Sequence, residues 1–262
     1  ASKYKLDGHK DEEIFAKLIN GEVIKGTGKT DVIDRDSNKY SLKSGAKKWQ
    51  IFLYGINRFQ SNSFSEINDI RLLFLESLNS FPKNYETYLT DKNEAKKIII
   101  KPENRLIFSN KNEKDIIEKI GQNNSYLSSK LKLQKNFKKI KKELEIKSNI
   151  HKFLDISIFN NGEVNKLAIK DGNKFNIFDR KDVLNCLSNE LVPNNSTSGN
   201  RRDDLNIGGQ KVLLKSRTNK NVVEIEVRND SPKHYRQIRF NMLREKANDI
   251  LFKMINKKVI SY

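Results

Sequence analysis

The sequence is poor in cysteine and in long apolar stretches, and both shortages narrow the class of protein. The single cysteine, Cys186, rules out an internal disulfide framework and a zinc site built from several cysteines. No apolar run reaches the roughly 20 residues that a membrane-spanning helix needs. The N-terminal stretch ASKYKLDGHKDEE also lacks the apolar core of a signal peptide. We therefore expect a soluble cytoplasmic protein without a membrane partner.

Acidic residues are also scarce relative to basic ones. The chain has 51 lysines and arginines against 33 aspartates and glutamates, which gives a net charge of +18. A field of this sign attracts polyanions, and nucleic acid foremost. The excess is uneven, because nine lysines and only two glutamates lie between Ser128 and Lys152. A merely soluble basic surface is the alternative explanation, but the uneven distribution favours nucleic-acid binding.

Hydrophobic periodicity predicts helices and strands in mixed order along the chain. Amphipathic helices are expected over residues 10–20, about 65–79 and 128–152. The second of these should begin with Ser65 and Glu66 in capping positions. Short strands are predicted at residues 22–25, 97–101, 105–109, 155–159, 166–170, 174–178, 211–215 and 222–228.

Turn residues divide these elements. Asn160-Asn161-Gly162 and Asp171-Gly172-Asn173 are typical of hairpin turns. Polar loops are expected at 57–63 and 193–204, and Ser231-Pro232 predicts the start of a long C-terminal helix. The order of elements predicts an α/β fold of the mixed α+β type with a β-rich, basic C-terminal part.

The stretch from Gly28 to Tyr54 carries the strongest local pattern. It predicts a strand at 30–34, a turn at 35–38, a returning strand at 39–44 and a further apolar strand at 49–54. If the turn is centred near Ser37, Asp31 lies across from Lys43 and Ile33 across from Ser41. Such a pair is either an ordinary cross-strand ion pair or the centre of a metal-dependent nuclease. In the second case the carboxylate holds a divalent cation, and the lysine stabilises developing negative charge.

Over residues 8–55 the chain resembles the PD-(D/E)xK nuclease superfamily, and in particular type II restriction endonucleases. The run EEIFAKLI, the loop GTGKTDV and the strand YSLK follow the family order of acidic helix, aspartate strand and x-Lys strand. The resemblance implies a mixed sheet flanked by helices. It also implies Mg²⁺-dependent cleavage of double-stranded DNA by a sequence-specific homodimer.

The resemblance also implies roles for individual residues. Asp31 would bind the metal, Lys43 would be the catalytic lysine, and Glu12, with Glu13 as alternate, would complete the metal ligands. Ser41 stands where the family usually has an acid, so a carboxylate must come from elsewhere in the fold. The candidates for that carboxylate are Glu12, Glu13, Glu22, Asp34 and Glu66.

Gln50 and Tyr54 are similar to the Gln-xxx-Tyr element of recombination-type nucleases in the same superfamily. On a regular strand these two positions share a face, so Tyr54 can equally be a packing residue. The predicted catalytic set is Asp31, Lys43, Glu12, Ser41 and Gln50. The resemblance places the nuclease core in residues 1–125, and a basic, β-rich DNA-binding part in residues 126–262. The two parts can also form one continuous domain.

Other motifs are weaker. Gly28-Lys29-Thr30 imitates the end of a P-loop, but Val23 occupies the required glycine position and a strand follows where a helix is needed. Glu224 and Glu226 share one strand face and could hold a cation, although a solvated face beside lysines explains them better. The three histidines are far apart in the sequence, which argues against an HNH-type nuclease.

Several basic residues are candidates for contacts with DNA. Lys233, Arg236 and Arg239 lie on the predicted C-terminal helix, where a basic solvent face is the alternative. The further candidates are Arg201 and Arg202 in the polar loop, and Lys47 and Lys48 after the hairpin. Two other functions remain open: a structure-specific repair or recombination nuclease, and a DNA-binding protein without catalysis.

Overall fold

The computed structural model of the protein describes residues 3–26, 28–100, 123–196, 208–254 and 256–262. The α-helices of this part of the chain are α1 (Lys3–Leu18), α2 (Ile56–Gln60), α3 (Asn68–Asn79), α4 (Tyr85–Ile100), α5 (Ser125–Glu145), α6 (Lys147–Phe159), α7 (Arg180–Glu190) and α8 (Arg244–Leu251). The strands are β1 (Glu22–Val23), β2 (Val32–Ile33), β3 (Lys39–Lys43), β4 (Lys48–Gly55), β5 (Lys166–Asp171), β6 (Lys174–Asp179), β7 (Leu191–Asn195), β8 (Lys211–Ser216), β9 (Asn221–Arg228), β10 (Gln237–Leu243) and β11 (Lys257–Ser261). The predicted mixed α+β class is therefore confirmed.

The first sheet has the strand order β1-β2-β3-β5-β6-β11. It is a mixed sheet, because β3 and β5 run parallel while the other neighbours are antiparallel. Helix α1 covers one face of this sheet through Phe15, whose ring contacts Tyr40 at 5.3 Å and Phe175 at 5.0 Å. The predicted mixed sheet with a flanking helix is confirmed, and its likeness to the restriction-endonuclease fold stays a prediction.

The second sheet is antiparallel and has the order β4-β10-β9-β8-β7. Both sheets take strands from before and after residue 125. The strands predicted at 166–170, 174–178, 211–215 and 222–228 are confirmed as β5, β6, β8 and β9. The assignment of catalysis to 1–125 and DNA binding to 126–262 stays a prediction, on a fold in which the two parts interleave.

Helices α5 and α6 bring the main apolar core together. The pattern Leu133, Phe137, Ile140 and Leu144 is buried, as the amphipathic periodicity predicts. Helix α5 packs against α3 and α4, and against strands β7 and β8. Its neighbour α6 carries Phe153, whose ring stacks on Phe240 of β10 at 5.6 Å.

Two predicted strands are helical instead. Residues 97–100 end helix α4, and residues 155–159 end helix α6. A short apolar run cannot be assigned by periodicity alone, and the end of α6 is buried on every side, so no polar face reveals its period. Asn160 then ends α6 in the left-handed conformation, with φ at 49°, so it is a helix cap and not a hairpin turn.

The predicted C-terminal helix is also wrong. Ser231-Pro232 opens only a short 3-10 turn, Pro232–His234, after which Arg236 adopts a left-handed φ of 54°. The following residues form β10, in which Ile238, Phe240 and Met242 are buried at every second position. A helix, α8, begins only at Arg244.

Three boundaries differ from the predictions. The expected loop at 57–63 contains α2 and the start of a 3-10 helix, Asn62–Ile67. Helix α3 therefore begins at Asn68, and Ser65 and Glu66 do not cap it. The expected loop at 193–204 begins as strand β7, which pairs with β8. The strand predicted at 105–109 lies outside the described residues.

None of the described helices is long and apolar enough to cross a membrane.

Candidate active site

A cavity of about 460 Å³ lies between the β2–β3 hairpin of the first sheet and strand β4 of the second. Its charged lining residues are Lys29, Asp31, Lys43 and Arg58, and its neutral polar ones are Ser41, Gln50 and Asn160. Four residues of the predicted catalytic set, Asp31, Ser41, Lys43 and Gln50, therefore line one cavity. Among the described residues, Asp31 is the only carboxylate in its wall.

The β2–β3 hairpin is confirmed, but its register differs from the prediction. Ile33 pairs with Lys39, not with Ser41, and the backbone N–H of Asp31 donates to the Tyr40 carbonyl at 2.8 Å. Asp31 consequently lies beside Ser41 and not directly across from Lys43. The predicted face is nevertheless correct, because a shift by two residues leaves the alternation of side chains unchanged.

Asp34 explains the register. Its carboxylate accepts hydrogen bonds from the backbone N–H groups of Asp36 and Asn38 at 3.0 and 2.8 Å, and from the Tyr40 hydroxyl at 2.7 Å. Although burial opposes ionisation, these hydrogen bonds hold the pKa of Asp34 below its ordinary value. The loop closes tightly with Ser37 in the left-handed conformation, which centres the turn one residue earlier than expected. Asp34 is thus engaged in the turn, and it does not line the cavity.

Ser41 links Asp31 to Lys43. Its hydroxyl lies 3.3 Å from the Asp31 carboxylate, to which it can donate, and it accepts a 2.8 Å hydrogen bond from the Lys43 ammonium. Asp31 also accepts the backbone N–H of Leu42 at 2.6 Å. Ser41 is nearly inaccessible, with 1 % of its surface exposed, so this chain of contacts is fixed by the strand. The three side chains of the predicted motif form one hydrogen-bonded unit.

Lys29 is a site residue that the sequence analysis missed. Its ammonium donates to the backbone carbonyl of Ile51. That carbonyl is accessible to it because β4 bulges there: Gln50 pairs with Asn241 and Phe52 with Phe240, which leaves Ile51 outside the ladder. The sequence Gly28-Lys29-Thr30 imitates only the end of a P-loop, so no local pattern predicts this contact.

Burial and electrostatic repulsion change the chemistry of Lys29. Burial lowers its pKa to about 7, and the nearby positive charge of Lys43 acts in the same direction. Attraction from Asp31 only partly opposes the decrease. The pKa of Lys29 therefore lies near neutral pH, and an arriving anion would favour the charged form of this lysine.

Arg58 forms the next part of the cavity wall. Its guanidinium donates to the Asn160 side chain at 2.6 Å and lies over the Tyr54 ring, 5.1 Å from the centroid. Lys29 approaches the same ring at 5.7 Å. Burial raises the pKa of Tyr54, so this side chain stays a neutral phenol. The Tyr54 ring thus contacts the side chains of both Lys29 and Arg58.

The bulge at Ile51 also corrects the interpretation of Gln50 and Tyr54. Phe52 and Tyr54 stack with centroids 4.5 Å apart, and both belong to or pack against the main core. Gln50 precedes the bulge and is exposed on the face of β4 opposite to Phe52 and Tyr54. It still lines the cavity. The two residues therefore do not share a face in the way a regular strand requires.

The structure does not bring the predicted helix acids to Asp31. Helix α1 packs its Phe15 side against Tyr40 and Leu42, on the face of the first sheet opposite to Ser41. Glu12 accepts a hydrogen bond from His9 at 3.0 Å, and Glu13 is exposed. Neither lines the cavity.

The other acids considered for the cavity are also occupied elsewhere or exposed. Glu22 is exposed on β1, and Glu66 accepts a hydrogen bond from Asn161 at 2.9 Å. Glu163 was not predicted, but its carboxylate accepts a hydrogen bond from Asn160 at the cavity rim. In the described ranges, no three His, Cys, Asp or Glu side chains are grouped closely enough to hold a metal ion by themselves.

The two glutamates of β9 that could hold a cation, Glu224 and Glu226, have basic partners. Glu226, only 4 % exposed, binds Arg239 and Lys211, the latter at 2.6 Å. Burial opposes its ionisation, but these hydrogen bonds keep the pKa of Glu226 below its ordinary value. Glu224 pairs with Lys48 at 2.9 Å. Both carboxylates are thus neutralised by cations and not merely solvated.

The predicted DNA contacts fall into two groups. Lys47, Lys48 and Lys233 are exposed, and Lys48 forms an ion pair with Glu224. Arg239 is bound to Glu226, and Arg236 donates to the Leu78 carbonyl and the Asn79 side chain at 2.8 and 2.7 Å. Arg201 and Arg202 lie outside the described residues.

No protein-family model matches this chain, and no curated protein shows significant sequence similarity to it.

Proposed function

We propose that the protein is a Mg²⁺-dependent endonuclease that hydrolyses phosphodiester bonds in double-stranded DNA, and that it acts as a sequence-specific type II restriction enzyme. The observation that carries this proposal is the hydrogen-bonded unit of Asp31, Ser41 and Lys43 in a cavity with Lys29 and Arg58. A carboxylate surrounded by three basic side chains suits a phosphate group that arrives with a cation. The resemblance to PD-(D/E)xK nucleases supports the same function.

The donor set fits Mg²⁺ if the substrate takes part in binding it. Magnesium is commonly held by one or two carboxylates together with substrate phosphates and water. Asp31 would supply the protein oxygen atoms, and the phosphate and water would supply the others. A bound Mg²⁺ polarises the phosphate and lowers the pKa of the attacking water.

The basic residues would have separate tasks. Lys43, fixed by Ser41, would stabilise the negative charge that develops on the phosphate during attack. Lys29 would bind the same phosphate from the β4 side and gain its proton as the anion arrives. Arg58 would contact a neighbouring phosphate at the cavity rim. A homodimer in the cytoplasm belongs to this proposal, because palindromic sites require two active sites related by a two-fold axis.

Plasmid cleavage tests the proposal. Supercoiled DNA is incubated with the protein in Mg²⁺ or in EDTA, and Lys43→Ala is compared with Lys39→Ala on the same strand. Lys39 does not line the cavity, so its variant should cut like the wild type. Lys43→Ala should lose at least 100-fold in rate and keep most of its DNA affinity, because one preorganised stabilising group contributes about that much.

The pattern of products separates the related functions. Discrete fragments support a restriction enzyme, whereas smears would indicate a nuclease that selects structure. A second candidate, a DNA-binding protein without catalysis, is favoured by the single carboxylate in the described cavity wall. Intact plasmid under all metal conditions, together with tight binding, would support that candidate and refute the nuclease.

A further inference from the structure

A second cavity, of about 500 Å³, continues the first one along the end of β4. Leu53, Tyr54 and Arg58 line both cavities, so the second cavity adjoins the first, which contains the Asp31–Ser41–Lys43 unit. The far wall of this groove contains Lys83, in the connection between α3 and α4, and Arg236, just before β10. We call this second cavity the Lys83 groove.

The charge of the Lys83 groove has one sign. Arg58, Lys83 and Arg236 line it, and no carboxylate does so among the described residues. Lys83 is exposed and forms no hydrogen bond or ion pair within the described part of the chain. The Nε atom of Arg58 is buried and also lacks a hydrogen-bond partner there. Lys83 is therefore available to an anion, whereas Arg58 and Arg236 also donate hydrogen bonds within the protein. None of the three forms an ion pair with a described carboxylate, unlike Arg239, which is neutralised by Glu226.

The wall that carries Lys83 is held in place. The Tyr235 hydroxyl donates to the Pro82 carbonyl at 2.7 Å, next to Lys83. Arg236 donates to the Leu78 carbonyl at 2.8 Å, at the end of α3. The rings of Tyr235 and Tyr85 contact edge to face at 5.2 Å. These contacts fix the backbone on both sides of Lys83 and leave its ammonium free to reach the groove.

We propose that the Lys83 groove binds the DNA strand next to the scissile phosphate, with Lys83 and Arg58 contacting its successive backbone phosphates. This inference rests on the proposed function and adds the path of the strand across the protein. Three cations without a carboxylate partner among the described residues line a groove that adjoins the phosphate site, and this arrangement suits a polyanion. Phosphate contacts of this kind position DNA without reading its sequence. Lys83 acts through binding and does not touch the reacting atoms.

Fluorescence anisotropy with a 20-base-pair duplex in EDTA tests this path. The variants are Lys83→Ala and Lys83→Glu, and the control is Lys258→Ala, an exposed lysine on β11 at the far edge of the first sheet. We expect Lys83→Ala to weaken binding by about 3- to 10-fold, and to lower the slope of log affinity against log salt by about one. Lys83→Glu should weaken binding more, and Lys258→Ala should bind like the wild type.

Cleavage measured at saturating DNA distinguishes a failure of the Lys83 groove from a failure of the proposed endonuclease function. If Lys83→Ala and Lys83→Glu bind and show salt slopes like the wild type while Lys43→Ala abolishes cutting, the Lys83 groove is refuted and the nuclease stands. If the wild type never cuts but Lys83→Ala still weakens binding with a lower slope, the groove stands and the nuclease fails. An equal loss of affinity in Lys258→Ala would also refute the groove, because it would indicate a diffuse effect of charge.

Discussion

Replacing Lys29 by methionine should raise the stability of the protein at neutral pH and change its dependence on pH. The folded pKa of about 7 lies below the ordinary value of 10.5, so the folded state resists protonation that the unfolded chain accepts. Each pKa unit corresponds to about 1.36 kcal/mol, so the buried ammonium lowers stability at or below pH 7 by up to about 5 kcal/mol. The Ile51 carbonyl loses its partner in the variant, which costs about 1–3 kcal/mol. The net gain expected near pH 7 is therefore about 2 kcal/mol.

The pH dependence provides the sharper measurement. Between pH 7 and pH 10.5 the unfolded chain binds a proton at Lys29 that the folded protein does not, so wild-type stability should rise with pH in this window. Urea unfolding at pH 7 and pH 9 should show wild type gaining about 2 kcal/mol relative to Lys29→Met. Lys25→Met, at an exposed position nearby, should parallel the wild type. Parallel curves for wild type and Lys29→Met would refute a buried lysine with a lowered pKa.

Three further changes test the core, an ion pair and the metal site. Phe240→Ala should lower the free energy of unfolding by about 3–5 kcal/mol in urea titrations, because it empties a fully buried ring position, whereas Leu72→Ala at an exposed site should change it little. Arg180→Ala should cost about 1.5–3 kcal/mol in the same measurement, because it leaves the 6 %-exposed Asp155 carboxylate without its two guanidinium hydrogen bonds, and a loss under about 0.5 kcal/mol would contradict this account. Ser41→Asp should increase Mn²⁺ affinity in calorimetry without DNA by about 10-fold, since it adds a second carboxylate beside Asp31, and unchanged affinity would count against Asp31 as a metal ligand.

The parts of the fold that the sequence predicted well are those specified by neighbouring residues. The β2–β3 hairpin follows from alternating side chains and the Asp-Ser-Asn turn, and the β5–β6 hairpin follows from Asp171-Gly172-Asn173. The face shared by Asp31, Ser41 and Lys43 was predictable for the same reason. Even here the register required Asp34, whose four acceptor contacts within the loop are not visible as a pattern.

The features that could not be predicted depend on distant parts of the chain. Residues 155–159 are rich in isoleucine and phenylalanine and imitate a strand. They form the end of α6, which is buried on all sides, and burial removes the polar positions that mark a helical period. Lys29 became part of the site only because β4 bulges at Ile51 against β10. Neither a bulge nor the face on which α1 packs can be derived from local periodicity, so the positions of Lys29 and Glu12 were beyond a sequence argument.

The interleaving of the two sheets has a consequence for the protein during its synthesis. The hairpin that carries Asp31 is held by Asn165, 126 residues after its partner Lys39, and β4 is held by Glu224, 176 residues after Lys48. Contacts at such separations form late, since the entropy of closing long loops must be overcome first. At about 5–20 residues per second, the ribosome needs roughly 10–40 s to pass from β4 to β10. Once Asn160 has been added, the nascent chain contains every described residue that lines the cavity, but β4 still lacks β10, its partner in the second sheet. The cavity wall that β4 forms therefore gains its support only after β10 has emerged.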